Sequence, residues 1–159
     1  MATETLRFVL ELYSEFWKRP PKVDIYVNGQ SKYSSEITET KDKPHTVDFI
    51  HSFTEGDKIS LVIDRQNKSS TDTLVENNTI KKDQLLHIKS IAIDEIDIGG
   101  LVYEGIYRPE YPEPWATQQR KAGKPLPESF KNVTCMGHNG TWTFNAESPF
   151  YMWLLENLY

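Results

Sequence analysis

At 159 residues, 38% apolar and 26% charged, the chain is the size of one compact domain and has neither the composition of a disordered polymer nor that of a membrane protein. Its formal net charge is −5, and the densest basic cluster, Lys18, Arg19 and Lys22, is broken by Pro20 and Pro21, so the basic stripe that nucleic-acid binding requires is missing. The longest apolar run, Phe150 to Leu155, is far short of the roughly 20 residues of a membrane span, and residues 1–20 carry Glu4, Glu11 and Glu15 where a secretory signal would be apolar.

Along the chain the dominant hydrophobic period is two. In TLRFVLELY, Leu6, Phe8, Leu10 and Leu12 fall on one face and Arg7, Val9, Glu11 and Tyr13 on the other, the pattern of a half-buried strand. KVDIYVNGQ repeats it with Val23, Ile25 and Val27 and then supplies Asn28-Gly29, a strong hairpin signal because both residues accept positive φ. HTVDFIHSF and DKISLVIDRQ follow, separated by a hairpin-like break at Thr54-Glu55-Gly56. The Ile- and Leu-rich stretch from Leu85 to Leu101 favours strands, with Gly99-Gly100 as a turn or bulge.

Residues 108–127 read as a proline-rich loop, since prolines at 109, 112, 114, 125 and 127 remove backbone donors and constrain their neighbours. Asn139-Gly140 is a second hairpin signal, after which Trp142 and Phe144 share a face. In FYMWLL, read as a strand, Phe150, Met152 and Leu154 point one way and Tyr151, Trp153 and Leu155 the other. Such a strand is covered on both sides. At least seven short strands and no clear amphipathic helix predict one all-β domain over 1–159, an antiparallel β-sandwich or barrel.

No catalytic constellation emerges from the residues. His45, His51, His87 and His138 lie in different segments without metal-ligand spacing, and the single cysteine, Cys135, three residues before His138, lacks a third group to orient a base. One cysteine allows no internal disulfide, which fits synthesis in a reducing cytosol. Asp94, Glu95 and Asp97 read as a charged strand edge that discourages aggregation. Asp72, Glu76 and Asp83 sit in a polar loop whose geometry suits a hard cation such as Ca²⁺ better. Tyr107, Tyr111 and Trp115 are candidates for an aromatic platform that stacks on sugar rings, or else for a plug on one end of the sandwich.

PKVDIYVNGQ, EGDKISLVIDRQNK and DTLVENNTIKKDQLLHIKSIAIDEIDI together resemble the calcium-dependent xylan-binding type of carbohydrate-binding module over about residues 6–98. In that family an acidic loop leads to an Asp-Arg-Asn-Leu-like signature, where this chain has Asp83-Gln84-Leu85-Leu86, followed by Ile91-Ala92-Ile93-Asp94. The resemblance implies a jelly-roll β-sandwich and, with it, Ca²⁺ and polysaccharide binding. The family's upstream Asn-Asp pair is absent, and Asp72-Thr73 stands nearest. The C-terminal third is similar to structural proteins of tailed phages of marine bacteria. From this follows the expectation of a non-catalytic virion subunit, made in the host cytoplasm, that self-assembles or docks on other virion proteins. Docking would use the apolar segment 149–159, with Phe150, Tyr151, Trp153, Leu155 and Tyr159 at the interface. The alternative expectation is a calcium-dependent module that recognises host surface polysaccharide.

Overall fold

The computed structural model describes residues 2–99 and 104–158. Strand β1, Thr3–Glu15, buries Leu6, Phe8, Leu10 and Leu12 on one face, as its alternation predicts. It pairs antiparallel with β4, His45–Thr54, on one side and with β8, Leu85–Ile93, on the other. Two short strands, β9 (Ile96–Asp97) and β12 (Cys135–Met136), complete this first sheet by pairing with β8. The second sheet runs in the order β11-β10-β13-β5-β2-β3. Its members are β2 (Lys22–Val27), β3 (Gln30–Glu36), β5 (Lys58–Gln66), β10 (Ile106–Pro109), β11 (Phe130–Lys131) and β13 (Gly140–Glu147). All pairings in both sheets are antiparallel.

The inward faces form one core. Phe8, Leu10, Val47 and Ile91 from the first sheet belong to the same buried cluster as Ile25, Leu61, Ile63, Trp142 and Phe144 from the second. The fold is therefore the all-β sandwich that the period-two pattern predicts. Close packing extends to the backbone: a Cβ added to Gly105 would lie 2.1 Å from two carbons of the Trp142 indole.

The turns separate into those the sequence locates and those it misassigns. Asn28 and Gly29 take φ of 50° and 81° between β2 and β3, the mirror-image turn that hairpins favour. The break at 54–57 is tight, with Asp57 N–H donating to Thr54 O at 2.9 Å, but it joins strands of different sheets. It is a corner between layers, not a hairpin. Asn139-Gly140 likewise makes no hairpin, because β12 and β13 lie in different sheets. Asp94 and Glu95, placed on a strand by the sequence reading, instead form the β8–β9 turn at φ 52° and 68°.

Among the described residues, two α-helices correct the expectation of none. Helix α1, Trp115–Lys121, lies inside the proline-rich loop, with the Glu113 carboxylate accepting from the Thr117 hydroxyl at 2.6 Å and Gly123 at φ 75° just beyond its end. The C-terminal segment is helix α2, Phe150–Leu158, not a two-faced strand. Its first turn is capped by Glu4 of β1, whose carboxylate accepts from the Phe150 N–H at 2.9 Å and from the Ser148 hydroxyl. Phe150, Trp153 and Leu154 face the sandwich at helical spacing, with Trp153 edge-on to Phe144 at 5.7 Å. Among the described residues no helix is long and apolar enough to cross a membrane.

Candidate functional site

The polar segment after β5 holds a small hairpin, β6 (Leu74–Glu76) and β7 (Thr79–Lys82), turned by Asn77 and Asn78 at φ 54° and 62°. Val75 and Ile80 oppose each other across it and stay 55% and 61% exposed. Facing them is the proline-rich loop, which presents Glu110, Pro112 and Trp115. Between the two lies a groove of about 350 Å³ whose floor includes Lys68, Asp83, His138 and Asn139.

One wall of the groove is aromatic. The ring centroids of Tyr111, Trp115 and His138 lie within 6.1 Å of one another, and Trp115 remains 39% exposed. Buried Tyr107 anchors the backbone that carries the third ring: its hydroxyl donates to the His138 carbonyl and accepts from the His138 N–H at 2.9 Å. Burial pushes the Tyr107 hydroxyl up to about 12, so it keeps its proton. Burial, then nearby Lys68, lowers His138 from its ordinary value, which leaves a neutral ring at neutral pH. Of the three predicted platform residues, only Trp115 lines the groove; Tyr111 packs against Trp115 and His138. Tyr107, only 4% exposed, is a support and has no face for a ligand.

The floor is a buried polar network centred on Arg65. This fully buried guanidinium donates to Asn139 Oδ1 at 3.0 Å and to the Gln84 carbonyl at 2.6 Å. Burial pulls it down to about 10, opposed by Tyr107, Asp83 and Asp72, so it remains charged at neutral pH. Asn139 also clamps the backbone of Lys68, accepting from its N–H at 3.0 Å and donating to its carbonyl at 2.9 Å. Here lies the role of the Asn139-Gly140 pair: Gly140 allows close backbone approach to Arg108 and Pro109, where a Cβ would meet the Arg108 carbonyl at 2.3 Å.

The three acidic candidates are not brought together. Asp72 is buried against Arg19, with Oδ2 3.0 Å from Nη2, and it also accepts from the Ser69 N–H at 2.8 Å. Asp83 accepts at Oδ1 from Lys68 Nζ (2.7 Å), Thr73 Oγ1 (2.7 Å) and its neighbour's N–H (2.8 Å). Burial favours the neutral acid at both, but these donors outweigh it and hold both carboxyls below the usual range. Glu76 stands exposed at the hairpin tip. Among the described residues no three acids, histidines or cysteines converge as a metal group. A site for Ca²⁺ needs six to eight oxygens free to turn toward it, and this donor set does not fit.

The thiol sits elsewhere. Cys135 Sγ lies 4.0 Å from His87 Nε2, not beside His138, and Glu15 contacts that same nitrogen at 2.7 Å. With both groups on one nitrogen, the carboxylate does not orient the ring from its far side as in a nucleophile–base relay. Burial, then Glu15, raises the thiol above its ordinary range, away from a reactive thiolate.

Of the predicted interface residues, Phe150 is buried core and Trp153 is partly buried against Phe144 and Phe150. Tyr151 and Leu155, joined by Met152, are exposed on the outer face of α2. Tyr159 lies outside the described residues.

With this geometry in place, a solved structure of the module vCBM60 in complex with galactobiose superposes with a TM-score of 0.52, at 11% identity, covering 87% of this chain and 98% of that one. The chain shares the β-sandwich fold of that module. A selenomethionine form of vCBM60, described with a circular permutation linking two families of calcium-dependent carbohydrate-binding modules, aligns with a TM-score of 0.49 at 9% identity, covering 87% and 89%. No family model and no curated protein matches the chain.

Proposed function

We propose that the protein is a non-catalytic carbohydrate-binding module whose ligand site is the groove between the β6–β7 hairpin and the proline-rich loop. The observation that carries this reading is the half-exposed Trp115 indole beside Tyr111 and His138, opposite the apolar strip of Val75 and Ile80. Sugar rings present C–H faces to aromatic and aliphatic side chains and hydroxyls to polar ones. Glu110 and the groove floor supply the polar partners. The shared sandwich fold supports the reading without assigning a ligand. Binding of the chain to a broad glycan panel, lost in Trp115→Ala while that variant still folds and melts cooperatively, is the expected outcome. A panel on which the chain binds no glycan, or an unaffected Trp115→Ala, overturns it.

A second reading, assembly into a phage particle, is favoured by Tyr151, Met152 and Leu155 on the outer face of α2. Large exposed apolar side chains in one patch mark protein interfaces. The two readings are compatible, because they use different residues of one subunit. Concentration-dependent self-association lost in a Tyr151→Ser/Leu155→Ser chain supports assembly, and a monomer unchanged by those substitutions counts against self-assembly.

A further inference from the structure

We infer that the groove takes an uncharged saccharide without a divalent cation, because the chain's own basic side chains hold its acidic loop in place of a metal. This rests on the carbohydrate reading above and goes beyond it in ligand class and in ion dependence.

The loop from Asn67 to Asp83 is pinned from three directions. Arg19 reaches in from the segment after β1 to hold Asp72 and also donates to Asn67 Oδ1 at 3.1 Å. Lys68 folds across to Asp83 and to the Gly137 carbonyl, tying the loop to the segment that carries His138. Arg65 binds from below through Asn139 and Gln84. Cross-links of this kind are what a bound cation provides in an oxygen-rich loop. A divalent ion brought here would meet carboxylates already neutralised and three fixed positive charges nearby.

The same pairs determine the ligand class. Lys68 is the only cation lining the groove among the described residues, and it is committed to Asp83 and Gly137. Glu110 adds a negative charge to the rim. A uronate or sulfated sugar would therefore face a carboxylate with no free cation to answer it. A neutral sugar has hydroxyl donors for Glu110 and C–H faces for Trp115, Val75 and Ile80.

The test has two arms. In the first, thermal melts of the chain in EDTA and in millimolar CaCl₂ are expected to coincide, since a ligand bound only by the folded state raises stability by RT ln(1 + [L]/Kd). A clear rise with Ca²⁺ overturns metal independence whether or not any sugar binds. In the second, neutral and acidic oligosaccharides are titrated in EDTA. Binding of neutral members alone is expected, whereas binding that needs Ca²⁺, or that selects acidic members, overturns the inference. A chain that binds no glycan in either buffer removes the underlying carbohydrate reading, while coincident melts still support metal independence of the loop. Lys68→Met is expected to melt lower and Lys68→Arg near wild type; a Lys68→Met chain that melts as wild type overturns the role given to Lys68.

Discussion

The helix that replaces the expected last strand makes a discriminating prediction about two aromatic residues. In a strand, Tyr151 and Trp153 share a face, and their truncation costs are similar. In α2 they do not: Trp153 packs edge-on to Phe144 and stacks on Phe150, whereas Tyr151 is 60% exposed. Truncating a fully buried Trp or Phe to Ala costs about 3–5 kcal/mol. Trp153 is partly buried, so Trp153→Ala should cost roughly half that, about 2 kcal/mol. For a domain of this size each kcal/mol lowers the melting temperature by about 2–4 °C, which gives a drop of about 4–8 °C. Tyr151→Ala, a surface change, should stay within about 0.5 kcal/mol. Urea denaturation with an unchanged slope, supported by a thermal melt, reads both values. Equal losses at the two positions would refute the helical packing.

Two further predictions address the core and the groove. Gly105→Ala drives a methyl group into the buried Trp142 ring, so it should cost about 3 kcal/mol or more and perturb the near-ultraviolet tryptophan signal; a wild-type melt would contradict the close approach. His138 titrates below its ordinary value of 6.5 in the folded chain, so the unfolded state binds the extra proton first and stability falls as pH drops from 6.5 toward the folded value, then levels off. Urea titrations at neutral and mildly acidic pH should show this loss, smaller in His138→Gln, with the remainder from His51, which burial also lowers; the same pH dependence in both chains would contradict a His138 held neutral in the groove wall.

The sandwich was legible because its strands carry their burial locally. Leu6, Phe8, Leu10 and Leu12, then Val23, Ile25 and Val27, then Trp142 and Phe144 are all buried as their alternation predicts. Helix α2 was hidden because six consecutive apolar residues carry no visible period, and because its cap, Glu4, comes from 146 residues away. A sequence signal for helix α1 was present, proline at its start and glycine past its end, but the surrounding prolines obscured it. The site shows the same division. Trp115 and Tyr111 stood out as rings in a stiff loop, and Asp72 and Asp83 as acids. Their partners did not: Arg19 lies 53 residues from Asp72, and Asn139 reaches across 74 residues to Arg65. Side-chain pairing at such separations is set by the fold, and no local pattern announces it.

The central position of β1 in its sheet has a consequence for biosynthesis. Phe8 finds one neighbour in Phe49 and the other in Ile93, and β5 waits similarly for β13, with Leu61 opposite Phe144. At translation rates of about 5–20 residues per second, the apolar face of β1 emerges roughly 4–17 s before its β8 partner. Until then the nascent chain presents an unpaired amphipathic edge, the kind of surface that aggregates or recruits chaperones. Yield in the cell will therefore be governed by how that interval is managed as much as by the stability of the finished sandwich.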